Sequence, residues 1–575
     1  MHATARPRLT VIIALMVLLG GVVLAQLVRL QVIEHERWIG NAHVQQTGVR
    51  EIEPERGRIW DRNGVLLAGN EPRFAVWIDR RTIESSQRPD EVWGVLARDV
   101  APLIGLTPQQ LRDKLSGEYP RVKVKADLSE AIGHQLAGMH VPAVEVVPYW
   151  KRVYPQGSLA ASVLGFYNEE PVGYYGVEGY YQAPLAGEKR SFFIDHDVWQ
   201  DPLPLSVPPD AYAPPGADLV LTIDSVAQMV IEEELARALE TTGAEAGAII
   251  VMDPRTGEIL AMANAPTFDP NQYTETASTD PKRFVNPAVS EVYEPGSVFK
   301  IITLAAALDS GAVTPDTTYY DTACLEIGGQ SLCNWDRKDH GVVSMVDMMA
   351  KSLNVGAATL SVRLGAATFY NYVQAFGFGR LTGVDLQAET PGHVRTPADV
   401  TTWYESDLGT NAFGQGVSVT PLQMITAVAA VANEGRLVRP HLVKTIIEDN
   451  RSREAQVVEI GQPIRPETAR TLTRVLVEAL EREVPQAQVP GYSVAGKTGT
   501  AQIPIPGGYD DPWTIGSFVG YGPASHPQLI ILVRLDRPKT SPWGSDTAAP
   551  VFKQVATRLF NVLGIAPDSP VGSNQ

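Results

Sequence analysis

Three short stretches of this 575-residue chain carry side chains suited to nucleophilic chemistry. In Glu294-Pro-Gly-Ser297-Val-Phe-Lys300 a hydroxyl and an amine stand three residues apart, which puts both on one helix face. A serine at a helix N-terminus becomes a nucleophile when a neutral amine beside it can accept its proton. Burial and a second nearby cation would each push Lys300 towards neutrality. In Ser352-Leu-Asn354 a hydroxyl could relay a proton, and a carboxamide could both donate to and accept from a peptide substrate. In Gly496-Lys497-Thr498-Gly499-Thr500 a fixed positive charge lies on a strand, whose free edge could pair with an extended peptide. Gly499 would let that edge approach a ligand closely. Plain alternatives stand beside these readings: a capping serine with a snorkelling lysine, and a polar edge strand with a glycine bulge.

The elements that must hold these groups are partly legible. Ile301–Leu308 is apolar on every side and predicts a buried central helix opened by Pro295 and Gly296. Ser344-Met-Val-Asp347 resembles a capping box for a helix through Met349, so Ser352 and Asn354 fall where that helix breaks. Asp218–Ile223 alternates as a strand does, and Ser225–Leu239 has helical spacing. Ala248–Met252 and Ile259–Ala263 flank Pro254-Arg-Thr-Gly257 and predict a hairpin. Ser517–Tyr521 and Leu529–Leu535 predict strands and Val551–Leu563 a closing helix. Strands at both ends with helices between them imply an α/β domain whose sheet joins the two halves of this region.

Upstream, Pro202, Pro204, Pro208, Pro209, Pro214 and Pro215 mark a stiff connector and a domain boundary. Residues 30–200 read as an α+β region with one helical segment near Pro108–Leu115. From Leu9 to Val28 only Thr10 and Gln26 are polar, with Arg6 and Arg8 just before. Roughly 20 such residues span a bilayer as a helix, and the basic flank keeps the short upstream end cytoplasmic. An uncleaved anchor fits this long apolar run, with cleavage after Val23-Leu24-Ala25 as the rival. A net charge of −17 argues against nucleic acid as the partner. Cys324 and Cys333 bracket a hairpin turning at Gly328-Gly329. They fall at a non-hydrogen-bonded pair, where a disulfide or two buried thiols both fit.

In order along the chain, Ser297-x-x-Lys300, Ser352-x-Asn354 and Lys497-Thr-Gly499 resemble the boxes of penicillin-binding proteins and serine β-lactamases. Leu353 stands at the centre of the middle box, a departure that tilts away from class A β-lactamases. Arg56-Gly-Arg-Ile-Trp-Asp61-Arg-Asn-Gly64, Arg152-Val-Tyr-Pro155-Gln-Gly157 and Gly176-Val-Glu178-Gly-Tyr-Tyr181 extend the likeness to class B, monofunctional penicillin-binding proteins. Leu221-Thr-Ile-Asp224, Met252-Asp-Pro-Arg-Thr-Gly257, Phe376-Gly-Phe-Gly379 and Val419-Thr-Pro-Leu-Gln423 continue it. Ser517-Phe-Val-Gly520 and Ala548-Ala-Pro-Val-Phe-Lys553 resemble the FtsI-like division branch more than the elongation branch.

The resemblance implies a multidomain chain. Its parts would be a cytoplasmic tail (1–8), a single transmembrane helix (9–29), an α+β pedestal of dimerisation type (30–200) and a Pro-rich linker (201–216). An α/β serine transpeptidase domain (217–563), an antiparallel sheet covered by helices, and a flexible tail (564–575) would follow. It implies a D,D-transpeptidase cross-linking peptidoglycan stem peptides and acylated by β-lactam antibiotics, on the outer face of a bacterial membrane. Ser297 would be the nucleophile and Lys300 its base, with Ser352 and Asn354 relaying protons and holding the substrate amide. Lys497 and Thr498 would bind the terminal carboxylate, and the N–H groups of Ser297 and Thr500 would form the oxyanion hole. No metal or organic cofactor is implied. A SEDS-family glycan polymerase and division-complex membrane proteins are the implied partners. A β-lactam sensor or a β-lactamase on the same fold are the rival readings.

Overall fold

The structure, a computed structural model, describes residues 5–36, 47–195 and 213–568. Most of the Pro-rich connector, up to residue 212, lies outside the described residues. The chain divides into two compact units, Met1–Glu55 with Gly187–Gly216, and Arg56–Ala186 with Ala217–Gln575. In the first unit helix α1 (Ala5–Val28) carries the apolar run. Thr10–Ile33 has a mean hydropathy of 2.8, long and apolar enough to cross a membrane once. An antiparallel pair, Thr47–Ile52 with Arg190–Asp195, completes the described part of this unit.

In the second unit the N-terminal region is richer in helix than its sequence suggests. Pro108–Lys114 is the predicted segment, with a capping box from Thr107 and Gln110. Pro89–Val95 and Glu130–Gly138 are further helices, too short to show a clear 3.6-residue period. Strands Leu66–Asp79, Arg121–Leu128 and Val144–Val153 build a sheet that Asp218–Leu221 joins through a parallel pairing with Ile59–Trp60. The first strand after the connector therefore belongs to the sheet of the N-terminal region and not to the sheet beneath the three boxes.

That second sheet is antiparallel and five-stranded. Following helix α2 (Ser225–Thr242) come β1 (Ala246–Met252) and β2 (Ile259–Ala265). Long after them come β3 (Ala495–Ile505), β4 (Gly508–Gly522) and β5 (Leu529–Asp536), and the spatial order is β2-β1-β5-β4-β3. Both faces are buried. Ile249 and Val251 pack with α2 and the closing helix Ala548–Val562, whereas Ile250 and Met252 join the larger core on the other face. This strict alternation is the period of 2 that a strand imposes. Among the described residues β3 is an edge strand, pairing only with β4.

At residues 564–568 the structure differs from the expected loose tail, the rest of which, 569–575, lies outside the described residues. Gly564 has φ of +65°, and Ile565 N donates back to Phe560 O at 2.8 Å, a Schellman-type stop that glycine permits. Ile565 is buried, and Asp568 accepts from Ser493 N (2.7 Å) and Ser525 Oγ (2.8 Å). Packing thus continues to residue 568. The hairpin Cys324–Ile327 with Gln330–Cys333 has the predicted register, and the disulfide is formed across facing residues 4.0 Å apart at Cα.

Candidate active site

Ser297 lies in one 3-10 turn, Gly296–Phe299, that runs directly into α3 (Lys300–Asp309). From Lys300 to Leu308 every residue of α3 is buried, as its uniform apolarity predicts. The turn is pressed against β3. At Gly296 (φ +57°) a side chain's Cβ would come 2.8 Å from Thr500 O. At Gly499 a Cβ would meet Ser517 Oγ at 2.4 Å and Val298 Cγ2 at 2.8 Å. The glycine of the third stretch is therefore required by the neighbouring strand and by the serine-bearing turn, where the sequence had suggested clearance for a ligand.

The second stretch arrives from two helices. Helix α4 (Met345–Ala350) starts in the predicted capping box, Ser344 with Asp347, and α5 (Asn354–Leu364) begins within the box itself. Between them Ser352 has φ of +56°, a left-handed conformation that costs a non-glycine residue about 1–3 kcal/mol. Buried Leu353 anchors the break.

Lys300 joins these parts. Its Nζ donates to Ser352 O (2.6 Å), Ser352 Oγ (3.2 Å) and Asn354 Oδ1 (2.8 Å). Those contacts use all three protons of an ammonium. A neutral amine has only two protons and a lone pair, so on deprotonation the Ser352 hydroxyl can reverse and donate to Nζ. Lys300 is fully buried, and among the described residues no carboxylate is bonded to it. Burial drives its pKa well below the ordinary lysine value and the Lys497 charge lowers it further, with Asp321 opposing. Lys497 is buried too, and burial brings it down to about 7. Its Nζ donates to Thr498 Oγ1 at 3.2 Å on the free edge of β3. A hydroxyl, two amines of lowered basicity and an unpaired strand edge thus converge, a constellation suited to acyl transfer.

The comparisons fit this geometry. Residues 247–557 match the family model described as penicillin binding protein transpeptidase domain, and residues 51–198 match the penicillin-binding protein dimerisation domain. The chain belongs to the penicillin-binding protein transpeptidase family. Its pairing of these two domains is that of the class B members. It is 33% identical to stage V sporulation protein D of Bacillus subtilis, over 98% of this chain and 87% of that one. To penicillin-binding protein PbpB of Mycobacterium tuberculosis it is 32% identical, over 95% of this chain and 84% of the relative. Among solved structures, penicillin binding protein 3 of Mycobacterium tuberculosis complexed with aztreonam superposes with a TM-score of 0.70 at 28% identity. That match covers 91% of this chain and 99% of the other.

Of the three boxes, Lys300 bonds to Ser352 and Asn354, Lys497 bonds to Thr498, and the turn bearing Ser297 packs against Gly499 and Thr500. The direct bonds of Lys300 run to Ser352 and Asn354, where its spacing had pointed first to Ser297. Several supporting residues escaped the sequence reading. Asn354 Nδ2 donates to Cys333 O (3.1 Å), so the disulfide hairpin fixes the amide with its oxygen towards Lys300. Asn334 binds Asp321 (2.6 Å) through its amide nitrogen and accepts from Val355 N (3.0 Å), holding the start of α5. Burial raises the pKa of Asp321, while Tyr319 and Asn334 lower it again in part. Trp335, whose Nε1 donates to Lys351 O, touches Trp543 edge-on with centroids 5.5 Å apart. Gly544, next to Trp543, donates from N to Thr500 Oγ1 at 2.9 Å. None of these residues forms a local motif, and only contacts across distant segments reveal them. Among the described residues no group of three or more His, Cys, Asp or Glu side chains gathers as a metal site would require.

Proposed function

We propose that this chain is a peptidoglycan D,D-transpeptidase working through an acyl-enzyme on Ser297. The observation that carries the reading is the buried Lys300 amine, without a counter-charge, tied to Ser352 and Asn354 beside the Ser297 turn. Ser297 Oγ attacks the penultimate D-alanine carbonyl while Lys300 Nζ takes the hydroxyl proton. The negative oxygen is held by the N–H groups of Ser297 and Thr500, donors that typically account for ~100- to 1000-fold in rate. Ser352 returns a proton to the leaving nitrogen and terminal D-alanine departs. An amine of a neighbouring stem peptide then attacks the ester, gives up its proton through the same relay and restores Ser297. Lys497 and Thr498 bind the terminal carboxylate, and Asn354 and the edge of β3 hold the peptide. A β-lactam enters by the same first step and stays as a stable ester.

Relatives named probable peptidoglycan D,D-transpeptidase PenA in Neisseria gonorrhoeae (29% identical) and peptidoglycan D,D-transpeptidase FtsI homolog in Mesostigma viride (26%) support this reading. So does a relative's structure with bound aztreonam. In our reading α1 anchors the chain with the catalytic region on the outer face, as the Arg6 and Arg8 flank favours. The wording of 517–520 and 548–553 favours a septal role beside a SEDS-family polymerase; a tagged copy spread along the side wall would count against it. Fluorescent penicillin should label the full chain covalently, and Ser297→Ala should abolish labelling with unchanged thermal unfolding. Labelling that survives in folded Ser297→Ala protein refutes the nucleophile.

A further inference from the structure

Apart from the three boxes, a small cavity lies between residues 376–382 and the helix Pro421–Ala432. It encloses about 150 Å³, a volume in which an apolar cavity holds one benzene ring. Buried Phe376 and Leu437 give it apolar walls, and Leu381 and Ile460 add side chains that are 54% and 41% exposed. Thr382 and Gln423 also line it, but their polar groups are engaged. The Thr382 hydroxyl donates to Glu389 Oε1, and the Gln423 amide nitrogen donates to Arg380 O (2.8 Å) and Pro391 O (2.7 Å). Gln423 Oε1 accepts from Thr420 N at 2.9 Å. Thr426 differs. It lines the cavity at 3% exposure, and among the described residues its Oγ1 has no hydrogen-bond partner. An unpaired buried hydroxyl costs free energy that a bound partner recovers. A lone water needs two to four polar partners to settle there; a molecule with an apolar body and one polar tip does not. On the exposed side stands Arg380, which donates to Gln374 O and, among the described residues, has no carboxylate bonded to it.

Both walls of this cavity touch the segment that bears Ser297. Phe378, two residues after Phe376, packs its ring on Phe299 with centroids 5.1 Å apart, and Phe299 closes the Ser297 turn. On the other wall, Val419 just precedes the helix and exchanges two backbone bonds with Tyr293 (2.9 and 3.0 Å), four residues before Ser297. Gln423 ties the two walls together through its bonds to Arg380 O and Pro391 O. A ring that fits the existing void adds contacts to both walls without displacing Phe376. It therefore favours the arrangement in which Phe378 braces Phe299, and a ligand shifts an equilibrium only through such differential contacts.

We propose that this cavity is an effector site for a small aromatic carboxylate, a single ring bearing a hydroxyl, whose occupancy speeds acylation of Ser297. The ring fills the space beside Phe376 and Leu437, the hydroxyl pairs with Thr426 Oγ1, and the carboxylate meets Arg380. The effect on acylation rests on the transpeptidase reading above, whereas binding does not. Each neutral hydrogen bond is expected to contribute about fivefold in affinity and the charge-assisted one about tenfold.

The test uses the full chain and three probes, 4-hydroxybenzoate, benzoate and 4-hydroxybenzyl alcohol, with binding followed by calorimetry. The first should bind tightest, benzoate about fivefold and the neutral alcohol about tenfold more weakly. Thr426→Val keeps the shape and removes the hydroxyl, so it should make benzoate and 4-hydroxybenzoate equal. Arg380→Gln should bring 4-hydroxybenzoate down to the level of the alcohol. Thr426→Leu fills the void and should abolish binding of all three; if it does not fold, the other two variants still decide. Acylation is then measured at saturating benzylpenicillin, where the probe cannot compete for Lys497. With 4-hydroxybenzoate bound, the native chain should be acylated about fivefold faster, the low end of ordinary coupling between sites, and folded Thr426→Leu should show no gain. Equal affinities for the three probes, or binding that survives in folded Thr426→Leu, would overturn the site. An unchanged or slower rate with the probe saturating would overturn the effector role. Failure of the transpeptidase reading looks different: the probes would bind as expected, but benzylpenicillin alone would not acylate the native chain.

Discussion

Two buried clusters of cations in this chain have opposite fates. In the N-terminal region Arg56 and Arg152 grip Glu178. Arg56 Nε reaches Oε2 at 2.7 Å, Arg152 Nε reaches Oε1 at 2.7 Å, and Tyr154 OH adds a third bond at 3.1 Å. Burial pushes the Glu178 carboxyl up, but Arg152 and Arg56 more than reverse this and its pKa ends lowered. In the candidate active site Lys300 and Lys497 are also buried, but among the described residues no carboxylate is bonded to either. Their pKa values fall, because losing the proton is the cheaper response to burial. A paired buried charge locks segments together, while an unpaired one loses basicity, which in our reading fits Lys300 to act as a base. The choice of residue follows: arginine does not give up its proton in a protein, whereas lysine does so readily.

The contrast can be broken at either cluster. The largest effect is expected from Lys300→Met, which removes the base while keeping an apolar stem in the core. Penicillin acylation should fall at least ~1000-fold, while the thermal midpoint stays level or rises, since no buried amine must be desolvated. A midpoint that falls by many degrees would mean that Lys300 is structural after all. Glu178→Ala should do the reverse. Stranding two buried guanidiniums costs about 3–5 kcal/mol, read as a lower unfolding midpoint, with the active site of the surviving folded fraction still acylated. Lys497→Ala should weaken acylation about 10- to 100-fold for ligands bearing a carboxylate, and less for neutral thioesters. Equal losses for both would deny Lys497 its carboxylate.

Much of this was legible from residues alone, for reasons that differ by element. α3 was readable because an apolar run without a polar face has to be buried. The 324–333 hairpin was readable because both turn glycines adopt positive φ, and the register then places the cysteines opposite each other. Whether the thiols joined was not decidable from register, and the structure answers it. The location of Asp218–Leu221 was not legible, since alternation predicts a strand but not its partner. Nor was the role of Gly499, because the atoms it must avoid come from Ser517 and Val298, distant in sequence. The three boxes themselves were readable as chemistry. The shell behind them, Cys333 O, Asn334 and Asp321, depends on contacts that no local spacing encodes.

The most direct test of the central claim is the pH dependence of the second-order acylation rate of the full chain with benzylpenicillin. This quantity reports the free enzyme, and two interacting lysines titrate as a pair. Because Lys300 is held well below 10.5, the rising limb should lie well below the ordinary lysine range. Because carboxylate binding needs Lys497 protonated, the rate should fall as pH rises through about 7. A rate that climbs steadily to an inflection near the ordinary lysine value of about 10.4 would contradict the account, for both amines would then be charged at neutral pH.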